Sequence, residues 1–130
     1  MVSLMIDDTS YLVLLTLKYY GRPLDRRNLH VHLYKLIKKT GLNFDFKFYG
    51  KPPFSPDIER RVEELIEKGL VRRLFVVGPA YTTLYREYVK LSEEGKELLD
   101  SLPSKGFEEV VENYFEGLRG RAKQGEESGA

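Results

Sequence analysis

The stretch FYGKPPFSPDIERRVEELIEKGLV, residues Phe48 to Val71, decides how the rest of the chain is read. Gly50, Pro52 and Pro53 break whatever structure precedes them. Ser55 is a strong helix N-cap, and Pro56 suits a first helical position whose N–H has no partner inside the helix. Asp57 favours the positive end of the helix dipole. Ile58, Val62, Leu65 and Ile66 then recur at i, i+4, i+7 and i+8, which lays one apolar stripe along a helix. Gly69 stops that helix and lets Leu70 fold back on Leu65 in a glycine C-cap. The outward face of this helix carries Arg60 among Glu63, Glu64 and Glu67.

Upstream, FDFKFY (44–49) alternates, with Phe44, Phe46 and Phe48 to one side, and this predicts a half-buried strand. Before it, Asp25 caps a helix RRNLHVHLYKLIKKT that ends at Gly41. Leu29, Leu33, Leu36 and Ile37 form its inner stripe; Arg27, Lys35 and Lys38 lie opposite, with Val31 and Tyr34 beside them. The first helix, YLVLLTLKYY, has Asp8, Thr9 or Ser10 as its cap and runs to the break at Gly21 and Pro23. Being apolar nearly all round, it is expected at the centre of the core.

Downstream, LVRRLFVV and LYREYVKL joined by GPAYTT read as a β-hairpin. Ser92 caps a fourth helix, EEGKELLDSL, closed by Pro103. In a fifth, Phe107, Val110, Val111, Tyr114, Phe115 and Leu118 cover one side and Glu108, Glu109, Glu112 and Glu116 the other. Residues 119–130, RGRAKQGEESGA, have no apolar anchor and are expected to be a disordered tail.

At 130 residues and 42% hydrophobic content the chain can bury one ordinary core. The expected organisation is a domain over 1–102, an amphipathic helix over 103–118, and the tail. Cysteine is absent, which excludes disulfides, thiol nucleophiles and thiolate metal sites and fits a reducing compartment. The N-terminus has no signal-peptide pattern, and no run approaches the roughly 18 apolar residues of a membrane span. A cytoplasmic protein with no membrane partner is the expectation. A charged fraction of 32%, with one glutamine and three asparagines, leans toward the composition of thermophile proteins.

The net charge of +1 conceals a segregation. Residues 18–51 hold nine basic against two acidic side chains, and residues 71–91 four against one; residues 92–130 hold ten acidic against five basic.

In order, the elements are helix, helix, strand, helix, hairpin, helix, helix. Phe46 to Leu70, together with YVKLSEEGKELLDSL, resembles winged-helix proteins, in which three helices pack together and the hairpin after the third is the wing. More narrowly, Tyr49, Gly50, Pro53, Phe54, Ser55, Pro56, Gly69 and Leu70 resemble the YwgA-like and Panacea-type small proteins, from which this chain departs by inserting Lys51 and Pro52 in the turn. The resemblance covers about residues 10–102. It implies an α+β, mainly helical winged-helix domain (three-helix core plus β-hairpin wing) with additional C-terminal helices. For the general family it implies transcriptional regulation by binding double-stranded DNA, commonly as a dimer. For the narrower group it implies a role near toxin and antitoxin systems, in which the domain contacts protein.

No catalytic constellation can be assembled from the residues, so no enzymatic activity, cofactor or metal is expected. The phosphate-cradling, dinucleotide and zinc-protease motifs do not occur. His30 and His32 lie two apart on a helix, about 200° around its axis, and cannot jointly grip one ion. The cations are better candidates for phosphate contact. These are Arg26, Arg27, Lys35, Lys38 and Lys39 on the second helix, Lys47 and Lys51 before the third, and Arg72, Arg73, Arg86 and Lys90 on the hairpin. At the N-terminal end of the third helix Ser55, Arg60, Arg61 and backbone N–H groups join them. Tyr81, Thr82 and Thr83 at the hairpin tip are placed for a minor groove.

Two alternatives stand beside this. The cations are ordinary solvated charges or pair with the acidic C-terminal third, and Arg60 pairs with Glu64; or the glutamates of the third helix are a docking face for a protein partner. The apolar arc of the fifth helix either covers its own domain or, with the first helix, makes a homodimer.

Overall fold

The computed structural model describes residues 6–77 and 85–128, and side chains over 6–75 and 86–119. Five helices, α1 (Asp8–Tyr20), α2 (Arg26–Thr40), α3 (Pro56–Glu67), α4 (Glu93–Ser101) and α5 (Glu108–Ser128), surround a three-stranded antiparallel sheet. Its strands β1 (Leu24–Asp25), β2 (Val71–Val77) and β3 (Tyr85–Leu91) lie in the order β1–β3–β2. The fold is α+β and mainly helical. No helix among the described residues is long and apolar enough to cross a membrane.

The all-round apolar character of α1 has the expected consequence: every residue from Ser10 to Leu17 is buried. Thr16 tolerates this because its hydroxyl donates to the Leu12 carbonyl at 2.8 Å. The cap is Asp7, one residue earlier than expected, accepting the Ser10 N–H at 2.8 Å. Asp25 and Ser55 cap α2 and α3, with Pro56 opening α3. At its end Gly69 adopts φ 75°, and Leu70 N–H reaches the Leu65 carbonyl at 3.0 Å. That is the glycine-capped stop that brings Leu70 back onto the core.

The hairpin pairs Val71 with Leu91 through Val77 with Tyr85. Val71, Val89 and Leu91 face inward and are buried, so the alternate residues Arg72, Arg86, Tyr88 and Lys90 share the outer face. β1 joins the outer edge of β3, with Leu24 opposite Val89 and Asp25 opposite Tyr88.

The segment 44–49 is not a strand. Only an isolated bridge between Tyr49 and Phe54 forms there. Phe44, Phe46 and Phe48 do turn inward, with ring centroids 5.4 and 5.5 Å apart along the segment, and Phe44 meets Phe107 while Phe48 meets Tyr34. Alternating burial is satisfied by packing alone, because none of the three strands lies alongside to complete a ladder.

The C-terminal elements differ from expectation in extent and in use. α5 continues to Ser128 through much of the segment expected to be disordered. No proline interrupts it, and extending a formed helix is far cheaper than starting one. Its apolar arc covers its own domain: Val111, Tyr114 and Phe115 are buried, Phe107 meets Tyr11 edge-on, and Phe115 meets Tyr20. The apolar surfaces of α1 and α5 expected to pair two copies are thus occupied within one chain.

α4 is fixed against the α3–β2 turn by Ser92 and Gly95. Ser92 Oγ accepts the Gly95 N–H at 2.9 Å and donates to the Gly69 carbonyl at 2.6 Å. A Cβ at Gly95 would stand 2.2 Å from the Leu70 carbonyl oxygen, so only glycine permits this approach.

Candidate nucleic-acid interface

Arg26, the first residue of α2, points into the seam between α2, α3 and the hairpin. Its side chain is 11% exposed and pairs with Glu59 and Glu63 of α3 and, at 2.7 Å, with Glu87 of β3. Arg73 of β2 closes the set, reaching Glu63 at 3.0 Å and Glu87 at 2.7 Å. Two guanidinium groups therefore bridge three carboxylates from two elements. Burial opposes the charge of Arg26, but Glu63, Glu59 and Glu87 outweigh it and hold the group protonated beyond its ordinary range.

His30 extends the seam. Its Nδ1 accepts the Ser55 N–H at 3.1 Å, so its proton is assigned to Nε2, which donates to Glu59 Oε2 at 2.7 Å. The hydrogen bond from His30, with the charge of Arg26 behind it, holds the Glu59 carboxyl below the usual range despite burial. The Phe54 ring stacks on His30 at 4.5 Å.

Several expected phosphate contacts are consumed by this packing. Arg26 and Arg73 are committed to carboxylates. Ser55 is fully buried, its N–H on His30 and its hydroxyl capping Ile58 N–H at 3.4 Å. Arg61 forms an ion pair with Asp7 at 2.9 Å, outside hydrogen-bond alignment. Arg60 pairs with Asp57 at 2.9 Å and not with Glu64. The N-terminal end of α3 is therefore closed as an anion site: its cap is occupied internally, and Asp57 and Glu59 fill its first turn.

The remaining cations, Arg27, Lys35, Lys38, Lys39, Lys47, Lys51, Arg72, Arg86 and Lys90, make no ion pair among the described residues. They fall into separate groups. Arg27, Lys35 and Lys38 line the outer stripe of α2 over about 16 Å. Lys38 Nζ lies 5.0 Å over the Tyr34 ring, which packs against Phe48 and so brings the Lys47 segment alongside. Arg86 lies two residues tipward of Tyr88, whose partner Asp25 immediately precedes α2. This puts Arg86 at the same corner as Arg27.

Lys39 instead turns toward Tyr114 of α5, 5.9 Å from its ring. Lys51 is exposed in the turn closed by two backbone hydrogen bonds between Tyr49 and Phe54. Arg72 and Lys90 face each other at the base of the hairpin, about 16 Å along β2 from Val77. They are separate from the α2 stripe. The tip residues Tyr81, Thr82 and Thr83 lie outside the described residues.

Both histidines are packed among other side chains. His30 is buried in the seam, and His32 packs against Tyr20 and Phe115, where burial and the charge of Lys35 lower its pKa. Sequence reasoning missed Glu59 and Glu87 as the partners that remove cations from the surface. Glu59, at the edge of the apolar stripe of α3, was the readable signal. The chain matches no family model, no curated protein and no solved structure.

Proposed function

We propose that the chain is a winged-helix protein that binds duplex DNA through its phosphates, along the outer stripe of α2 and onto the adjoining corner of the hairpin. The order α1–β1–α2–α3–β2–β3, with β1 on the far side of β3 from β2, suits a winged-helix domain whose wing is the β2–β3 hairpin. One observation carries the DNA reading. Cations facing α3 are matched to carboxylates, whereas Arg27, Lys35, Lys38 and Arg86 are exposed on contiguous elements without an acidic partner among the described residues. Unmatched cations on a rigid element displace the counterions condensed on DNA, and that release drives binding.

Glu64 and Glu67 on α3 have no basic partner among the described residues and would meet phosphates of like charge. The proposed mode is therefore backbone-directed and tolerant of sequence. It does not call on a homodimer.

The test is fluorescence-anisotropy titration of a random duplex. Four phosphate contacts give a log–log salt slope of about −3.6, and so a loss on the order of 100-fold between about 50 and 200 mM salt. Replacing Arg27, Lys35 and Lys38 together by alanine should flatten that slope. Affinity indifferent to salt or to this triple variant overturns the reading.

A second reading, docking of a protein partner, is favoured by Tyr49 and Phe54, 61% and 44% exposed at one turn. Glu64→Lys with Glu67→Lys separates the two: DNA binding holds or strengthens, whereas docking on the acidic face fails. Glu63 is left intact because Arg26 and Arg73 depend on it.

A further inference from the structure

A second concentration of positive charge lies at the other end of the hairpin. A cleft of about 500 Å³ opens between the C-terminus of α1, the base of β2 and β3, and the start of α4. Five cations line it: Lys18, Arg22, Arg72, Lys90 and Lys96. The two acids at its edge, Asp100 and Glu93, are 75% and 82% exposed, and each holds a single lysine loosely, Lys18 at 3.9 Å and Lys96 at 3.5 Å. Arg22, Arg72 and Lys90 have no acidic partner among the described residues.

Arg72 and Lys90 are also directly opposed in the β2–β3 register, on the same outer face. Like charges in that position repel across the ladder. An anion between them turns the repulsion into a clamp, with the Arg72 fork able to take two oxygens. Arg22 also borders the cleft, with its guanidinium 5.1 Å over the Tyr20 ring. Gly21, Pro23 and Ser92 complete the lining, with the nearly buried Leu17 and Leu91 at its floor. A cavity of this size, lined by cations that have no acidic partner among the described residues, has the proportions of a small-molecule site.

The geometry points to a binding site for the phosphate group of a small phosphorylated organic molecule. Arg72 and Lys90 hold the phosphate, Arg22 adds positive charge at the border of the cleft, and the body of the ligand occupies the rest of it. The site is distinct from the α2 stripe and does not rest on DNA binding. A backbone phosphate of DNA offers the same chemistry, and the test separates the two sources.

The full chain is titrated calorimetrically with inorganic pyrophosphate against sodium chloride of matched ionic strength, then with AMP against adenosine. Saturable pyrophosphate binding is expected, together with AMP binding that adenosine does not reproduce. Both should weaken at least about tenfold in Arg72→Gln/Lys90→Gln and in Arg22→Gln, the loss of one or more charge-assisted hydrogen bonds. Arg27→Gln/Lys35→Gln should leave them unchanged.

Far-ultraviolet circular dichroism confirms that each variant is folded, and Arg22→Gln, outside helix and strand, keeps the test valid should the strand pair fail. Absence of saturable binding, or equal binding by the cleft variants, overturns the proposal. So does displacement of a bound duplex by pyrophosphate that is lost in the cleft variants, because it assigns the cleft to DNA.

Discussion

Replacing Arg26 by methionine tests the claim that this residue holds the fold together and does not contact DNA. The substitution keeps most of the aliphatic volume and removes the guanidinium that reaches Glu59, Glu63 and Glu87. Arg73 still bridges Glu63 and Glu87, but Glu59 is left with His30 alone. Losing one partner of a fully buried ion pair costs about 3–5 kcal/mol, and losing one at the surface about 0–1 kcal/mol. The three carboxylates are 26–45% exposed, which places this site between those limits, at about 2–3 kcal/mol.

For a domain of this size each kcal/mol moves Tm by about 3–5 °C, so the melting point should fall by about 10 °C. Thermal melts followed by circular dichroism at neutral pH measure this. Below the transition, duplex affinity of the folded variant should stay within about twofold of the parent, since a lost phosphate contact would also lower the salt slope by about one. A fall in Tm of less than about 2 °C, or a DNA-binding loss without a stability loss, would show that Arg26 faces solvent or phosphate.

Other substitutions probe the docking of the C-terminal elements. Gly95→Ala places a Cβ 2.2 Å from the Leu70 carbonyl oxygen and must push α4 off the α3–β2 turn. A loss of about 1–3 kcal/mol is expected in urea unfolding, and an unchanged midpoint would refute the close approach. Acid should weaken the fold through Glu108. Burial works against its charged form, but the Tyr11 hydroxyl, the Lys105 N–H and the Ser104 hydroxyl outweigh this and hold its pKa at about 2, against 4.5 for the free side chain.

Because the folded value is the lower one, the stabilisation is complete above about pH 4.5 and disappears as pH falls toward 2; Glu59 acts in the same direction. Urea midpoints of the parent and Glu108→Gln should differ most above pH 4.5 and converge toward pH 2. A constant difference across that range would remove Glu108 from the account.

Elements written in local chemistry were legible in the sequence. Ser55, Pro56 and Gly69 mark α3, and Asp25 and Gly41 mark α2, because caps and apolar stripes act over four or five residues. β1 was not legible: two residues after Pro23 carry no periodicity, and their strand character comes from Val89 and Tyr88, more than sixty residues away. The segment 44–49 fails for the converse reason, having the alternation of a strand and no neighbour to pair with.

The charges were hardest to read, since a segment sum cannot say which face of an element a side chain occupies or what packs against it. Here α3 carries a partial signal of its own. Glu59, Glu63 and Glu67 are spaced four apart, so each lies about 40° further round the helix than the one before. Glu59 begins beside the Ile58–Val62 stripe, and Glu67 ends nearly opposite it. Pairing holds for the first two and ends at the third: Glu59 is held by Arg26 and His30, Glu63 by Arg26 and Arg73, and Glu67 by no described residue.

Like charges at i, i+4 destabilise a helix when nothing else is near. A run of them that starts at the edge of a buried stripe therefore requires cations from elsewhere in the fold for its first members and none for its last. On that argument the basic residues least available to phosphate are those that the inner glutamates require, and the outer stripe of α2, turned away from them, is one of the places where unmatched positive charge remains.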